Sequence, residues 1–270
     1  MQYLFHRILV TLIGLVIVCN ANAHLNPRAS IKYQLYIAHF ESIMGTSMEM
    51  KVKASSSSDA EKAEQKALTE IKRLSLILSA YDKNSEFSKW MATKNEAIKV
   101  SSELYTILSL FDQWKQKTNG ALNASAEGIN QIWKQGALKQ QCPSVAEITK
   151  AVNEASIKHW QLNPEKNTAI HLSNAPLMLN TFVKSYIIQS AVDKAMKTND
   201  IKAVVLNIGG DIVVAGDINE EIVVTDPKAA AINDAYLENL IIANKAIATS
   251  GNYQRGTMIN GEWYSHIVDP

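Results

Sequence analysis

Residues 246–270 read AIATSGNYQRGTMINGEWYSHIVDP and combine small residues, a hairpin signal and a His/Asp pair. Thr249, Ser250 and Gly251 follow a short apolar strand, and their small side chains leave backbone N–H groups free to approach an anion. Asn260-Gly261 is the pair a type I′ turn demands, because both central residues need positive φ, so 257–259 and 263–265 are expected to pair as a hairpin. That turn is expected to fold His266 and Asp269 back toward Ser250, which makes the stretch the floor of a phosphate-handling site. Read alone, the same residues also describe a surface hairpin with one solvated histidine.

Working outward, the half of the chain before this stretch is rich in strands. Residues 203–208 (AVVLNI) form a buried strand that runs into Gly209-Gly210-Asp211, and 212–215 form the next one. Two glycines at a strand end permit a tight backbone approach to a ligand, although a plain hairpin turn has the same sequence. Further strands are expected at 222–225, 237–242 and 246–249. Short ones at 159–162, 169–172 and 177–179 are divided by Asn-Pro and Asn-Ala-Pro turns and lead into a helix over 182–197. His159 and His171 lie in strand patterns and are expected to be hydrogen-bonded or at the surface.

In the first half, 31–54 alternate apolar and polar residues on either side of Met44-Gly45-Thr46, the pattern of a hairpin or bulged strand pair. Ser58 to Glu61 read as a capping box, and Ala63, Ala67, Leu68, Ile71, Leu74 and Leu78 then repeat at helical spacing. A polar loop over 79–86 carries Tyr81, and Ser85 caps a short turn through Trp90. Ser101 caps a helix over 103–117 that stops at Asn119-Gly120. Ile129, Ile132 and Trp133 read as core, and Ser144 opens another capped helix. The fold class is α+β, with mixed, largely antiparallel sheets and flanking helices.

The 270 residues carry 27 Lys and Arg against 26 Asp and Glu, a net charge of +1. Such balance gives no electrostatic footprint for nucleic acid or an anionic membrane, so phosphate recognition has to be local. Residues 1–23 hold one arginine, an apolar run over 8–18 and a terminal Ala-Asn-Ala, the pattern of a secretory leader cut after Ala23. That run is too short to span a bilayer, and no later segment comes near it, so no membrane span is expected. Val18 stands where a lipoprotein signal needs a small residue before Cys19. With the leader removed, Cys142 is the one cysteine left and no intrachain disulfide can form. The expected product is a periplasmic domain over 24–270.

The A-T-S-G-x-Y and S-H-I-x-D-P boxes of the opening stretch resemble those of the FAD:protein FMN transferases, the ApbE family. Four more segments follow that family's order. Met44-Gly45-Thr46 resembles its M-G-T, and 78–91 resembles its S-x-Y-x-x-x-S-E segment. Residues 207–211 (NIGGD) resemble its N-x-G-G-D, and 184–186 stand at its K-G-Y. The resemblance implies an ApbE-like, T-fold-like architecture and FAD as substrate. It implies flavin or FAD contacts at Met44, Tyr81, Ala121, Leu122, Asn123, Lys184, Thr249, Ser250, Gly251 and Val268, and a magnesium contact at Thr181. His266, with Asp269, is expected to take the catalytic role. The chain departs from the family at Asn123 and Met178, where the family has acids, at Gln189, where it has an aspartate, and at Ser185, where it has glycine. The family continues beyond the D-P at which this sequence stops, with residues that complete the Mg2+ site, so the C-terminal part is expected to be missing.

The activity implied is Mg2+-dependent attachment of FMN from FAD to a Thr or Ser hydroxyl of an exported redox protein, with release of AMP. Two other readings stand beside it: hydrolysis of FAD to FMN and AMP, and a non-catalytic FAD-binding module, which the changed residues Met178, Asn123 and Gln189 favour.

Overall fold

The computed structural model describes residues 32–227, 236–252 and 255–268. The leader pattern and Asp269 lie outside these residues.

Strands β1 (Gln34–Ile43) and β2 (Thr46–Ala54) are the pair expected around the Met-Gly-Thr break. Both central residues of their turn have positive φ, 52° at Met44 and 80° at Gly45, as a type I′ turn requires. A register shift between Phe40 and Ile43 bulges β1 just before the turn. Helix α1 (Ser57–Leu78) ends where the apolar spacing places its end, but it begins earlier than the Ser58 box. Ser56 is the N-cap, accepting from the Asp59 N–H, and its hydroxyl donates to the Asp59 carboxylate at 2.6 Å. Ser55, Ser56 and Lys62 together hold that carboxyl down to about 2, Ser56 contributing most. Ser85, Ser101 and Ser144 cap α2 (Glu86–Met91), α3 (Ser102–Lys117) and, after α4 (Ala126–Lys139), α5 (Val145–Ser156).

A short strand, β3 (Ala97–Lys99), which has no apolar run to announce it, pairs with β5 (Thr168–His171), which also pairs with β4 (Trp160–Asn163). Residues 177–179 are not a strand. Leu177 and Leu179 are buried in the main core while the Met178 N–H donates to the Ala124 carbonyl, so alternating burial arises here in an irregular segment. Helix α6 (Asn180–Met196) follows directly.

The main sheet is fully antiparallel, in the order β1-β2-β6-β7-β10, where β6 is Ile201–Ile208, β7 Asp211–Gly216 and β10 Lys245–Ile247. Helices α1 and α6 cover one of its faces. Ala60, Ala63 and Ala67 of α1 and Ala191 and Ala195 of α6 are buried, and side chains this small let the two helices approach closely. Met48, Met50, Val52, Val204, Leu206 and Ile208 join them in one apolar core. Two-stranded ribbons are formed by β8 (Glu220–Thr225) with β9 (Tyr236–Ile242), and by β11 (Gly256–Ile259) with β12 (Glu262–Ser265). The second is the hairpin expected around Asn260-Gly261, and φ is +51° and +83° at those two residues. Among the described residues no helix is long and apolar enough to cross a membrane.

A second, smaller core sits apart from the first. Ile129, Ala151 and Ala155 are buried in it, with Ile132, Trp133, Val152 and Val268 packed around them. Trp133 of α4 stacks on Tyr264 of β12 at 4.7 Å, which joins the α4–α5 pair to the terminal hairpin.

Candidate functional site

Antiparallel register brings three of the expected boxes to the same end of the main sheet. Met48 of β2 faces Ile208 of β6, so the Met44-Gly45 turn that enters β2 lies beside the Gly209-Gly210 turn that leaves β6. Ile247 of β10 faces Ile212 of β7, so the chain leaves β10 toward Thr249, Ser250 and Gly251 at the same level. The two turns touch. The Gly209 N–H donates to the Ser47 carbonyl at 3.1 Å, and a Cβ on Gly209 would lie 2.7 Å from the Thr46 side chain. A side chain there would have to displace Thr46, and φ of +53° independently favours glycine. The Asn207 side chain closes the turn by accepting from the Gly210 N–H at 3.0 Å.

Lys184 joins α6 to this end of the sheet. Its ammonium donates to the Gly209 carbonyl at 3.3 Å and pairs with the Asp211 carboxylate at 3.1 Å. One turn earlier, Leu179 stands at the N-cap of α6 and provides no side-chain acceptor. The first N–H groups of that helix thus have no side-chain cap, and Thr181 is exposed among them. Tyr81 reaches the same place from the α1–α2 loop. It is 76 % exposed, and its hydroxyl accepts from the Asn180 amide at 2.9 Å. Met44 is 37 % exposed, and a bulky side chain at positive φ is uncommon enough to mark its turn as strained.

Ala121, Leu122 and Asn123 lie on the α3–α4 connection, next to the segment that starts α6, because Met178 is bonded to Ala124. Leu122 packs against the main core. Asn123 is occupied within the protein: its amide donates to the Ala155 carbonyl at 2.8 Å, and its oxygen accepts from the Ser125 N–H and hydroxyl. The neutral side chain at the family's acid position therefore anchors α5. Val268 is half-buried against the second core and not at the sheet end.

His266 stands at the base of the hairpin. Its Nδ1 lies 2.9 Å from the Arg255 carbonyl. A carbonyl only accepts, so Nδ1 carries a proton, and in the neutral ring Nε2 then holds the lone pair, the tautomer a general base needs. Of this hairpin, Trp263 donates from its indole to the Asn252 carbonyl at 3.0 Å, tying residue 252 to β12, and no bond between His266 and Ser250 is found among the described residues. Among the described residues no group of three or more His, Cys, Asp or Glu could hold a metal ion. Asp211 is paired with Lys184 and the Met178 side chain has no oxygen, so among the described residues neither offers Thr181 a free carboxylate for an Mg2+ shell.

The two buried histidines are structural. The His159 Nδ1 is 2.8 Å from the Ser173 hydroxyl and its Nε2 3.4 Å from the Ala155 carbonyl; burial depresses its pKa below the usual histidine value. His171 Nδ1 is bonded to the Thr93 carbonyl at 2.9 Å.

The model of the ApbE family matches residues 44–270. The chain is 24 % identical over 202 residues to a FAD:protein FMN transferase of Buchnera aphidicola subsp. Schizaphis graminum. It is 27 % identical over 200 residues to one of Vibrio cholerae. Each alignment covers 72 % of this chain and 59 % of the relative, so the chain spans about three fifths of the length of these two curated relatives. Among solved structures, the ApbE protein of Thermotoga maritima has a TM-score of 0.74 at 23 % identity over 87 % of this chain and 76 % of that one. The flavin transferase ApbE of Vibrio cholerae has a TM-score of 0.69 at 21 % identity, covering 88 % and 77 %. At these identities the structural likeness speaks for the fold, and it agrees with a family match that takes in both the sheet-end turns and the terminal hairpin: the chain belongs to the ApbE family.

Proposed function

We propose that the chain binds FAD at the end of the main sheet and transfers its FMN part to a hydroxyl of a protein acceptor. One observation carries this reading: Lys184 gathers the Gly209-Gly210-Asp211 turn beside Met44-Gly45-Thr46, at the level where β10 releases Thr249, Ser250 and Gly251. Such a place offers the Lys184 ammonium and the uncapped first N–H groups of α6 to a diphosphate, with Tyr81, bonded to Asn180 at that helix start, to meet a flat ring.

In the transfer, the acceptor oxygen attacks the phosphorus of the FMN half. The bond between that phosphorus and the bridging oxygen breaks, and AMP leaves with the electron pair. The hydroxyl proton passes to Nε2 of His266, whose tautomer is held by the Arg255 carbonyl. Thr or Ser as acceptor residue, and an exported redox protein as its carrier, belong to the same proposal. So does a periplasmic location, on the leader pattern in 1–23. Magnesium belongs to the proposal as well: Thr181 would contact it, and when bound it would neutralise diphosphate charge.

The test is incubation of the purified chain with FAD and a candidate acceptor, followed by mass spectrometry for FMN on a Thr or Ser and assay of AMP. Flavin bound but never transferred favours the non-catalytic module, a reading supported by Met178 and the internally bonded Asn123. AMP released without protein labelling favours hydrolysis.

A further inference from the structure

We propose that Asn180 is a positioning residue for Tyr81, and that the two form a latch holding the tyrosine ring ready to stack on a ring system of FAD; this rests on the FAD reading above. An exposed aromatic side chain ordinarily changes rotamer within nanoseconds. Tyr81 is exposed over three quarters of its surface, yet its tip is fixed by the 2.9 Å bond from the Asn180 amide.

The loop beneath the ring is held by its own residues. The Ser79 hydroxyl accepts from the N–H groups of Tyr81 and Asp82, both at 3.1 Å, and the Ser79 carbonyl accepts from the Ser85 hydroxyl at 2.6 Å. The Asp82 carboxylate accepts from the Asn84 N–H at 2.8 Å. These bonds fix the backbone and leave the ring's direction open. Asn180 supplies that direction from a helix 99 residues further along the chain.

Asn180 is the first residue of α6, where an asparagine could serve the helix end, but the helix has no side-chain cap and the amide is spent on Tyr81. Because the amide donates, the phenol keeps its own O–H to offer elsewhere. A ring ordered before the ligand arrives spares the complex the entropy of ordering it, which strengthens binding without adding a contact.

The experiment is a fluorescence titration of FAD against the wild-type chain, Asn180→Ala, Tyr81→Phe, the double variant and Asn180→Gln, with hydrogen exchange of residues 79–85 measured in each ligand-free protein. Each of the first two variants should weaken FAD binding about 3- to 10-fold, the scale of one net hydrogen bond. The double variant should be no weaker than either single one, because they remove the same bond. Asn180→Gln should recover affinity to within about twofold while the amide still reaches the phenol, a rescue that a general loss of stability would not give. Exchange in 79–85 should quicken in Asn180→Ala without FAD present. FAD affinity unchanged in Asn180→Ala, or additive losses in the double variant, overturns the latch alone. A wild-type chain that binds no FAD overturns the flavin reading itself, and the latch with it as a flavin-positioning device.

Discussion

The sheet end and the terminal lobe both carry residues assigned to the reaction, but they are held in place by different forces. At the sheet end, Gly209, Thr46 and Lys184 hang from strands and a helix whose buried faces form one continuous apolar core. The lobe of α4, α5 and the β11–β12 hairpin has three buried residues in its own core and is fastened to the rest by polar contacts. The Ala155 carbonyl accepts from the Asn123 amide at 2.8 Å, and the Lys115 ammonium reaches the carbonyls of Ala155, Ser156 and Ile157 at 3.3, 3.3 and 3.4 Å. Polar fastening contributes less per contact than apolar burial and is easier to open locally. In the proposed function the rigid side receives the nucleotide and the looser side carries His266.

The largest expected effect lies on the looser side. Loss of a general base typically costs about 10²- to 10⁴-fold in rate, so His266→Ala should slow FMN transfer to that extent while FAD binding and melting temperature stay near wild type. A folded, FAD-binding variant with full activity removes His266 from the mechanism; a variant with a lowered melting temperature makes it a strand-end anchor instead.

On the rigid side the corresponding change should damage the fold. Gly209→Val puts a branched side chain into the Thr46 contact at a positive φ, and a loss of about 2–4 kcal/mol is expected from overpacking and backbone strain together. Chemical denaturation measures it. A loss below about 0.5 kcal/mol, the scale of an ordinary surface change, means that the two turns are not locked together.

Tyr81→Ala should come next, weakening FAD binding by about 1–3 kcal/mol, the range for losing an aromatic stacking platform, with no change in stability because the ring is exposed. Unchanged affinity moves the flavin away from this loop.

The smallest effect is one of pH, and it belongs to the lobe. Burial holds His159 below the ordinary histidine pKa, and Lys115 and His171 beside it act in the same direction, against the Ala155 carbonyl. The unfolded chain therefore takes up a proton first as the pH falls. Stability from this group is complete above the unfolded value of about 6.5 and is lost as the pH falls toward the folded one. Melting curves at pH 7.5 and 5.5 should show a larger drop for wild type than for His159→Gln; equal drops would mean that His159 is not part of the fastening.

How much of this was legible in the sequence follows the range of the interaction involved. Asn260-Gly261 announced its hairpin because positive φ at two successive residues selects those residue types, and Ser101 and Ser144 announced their helices because an N-cap is satisfied within three residues. Met44 gave no such signal: its positive φ is imposed by the pairing of β1 with β2. Leu177 and Leu179 alternate as a strand does, yet they fill the core from an irregular segment. The site followed the same division. Lys184 and the Gly209-Gly210-Asp211 turn are separate signals in the sequence, and only the register of β6 and β7 and the placing of α6 bring them together. Asn180 and the internal bonding of Asn123 were not legible, because each depends on a partner far away in sequence.

Hydrogen exchange with and without FAD measures most directly where FAD binds. Protection is expected in the backbone around 44–48, 79–85, 180–185 and 207–212, with a smaller change in α5. Protection confined to the opposite end of the sheet, where Tyr33, Leu35, Lys53, Asp217, Ile218 and Asn219 line a surface depression, would contradict the account.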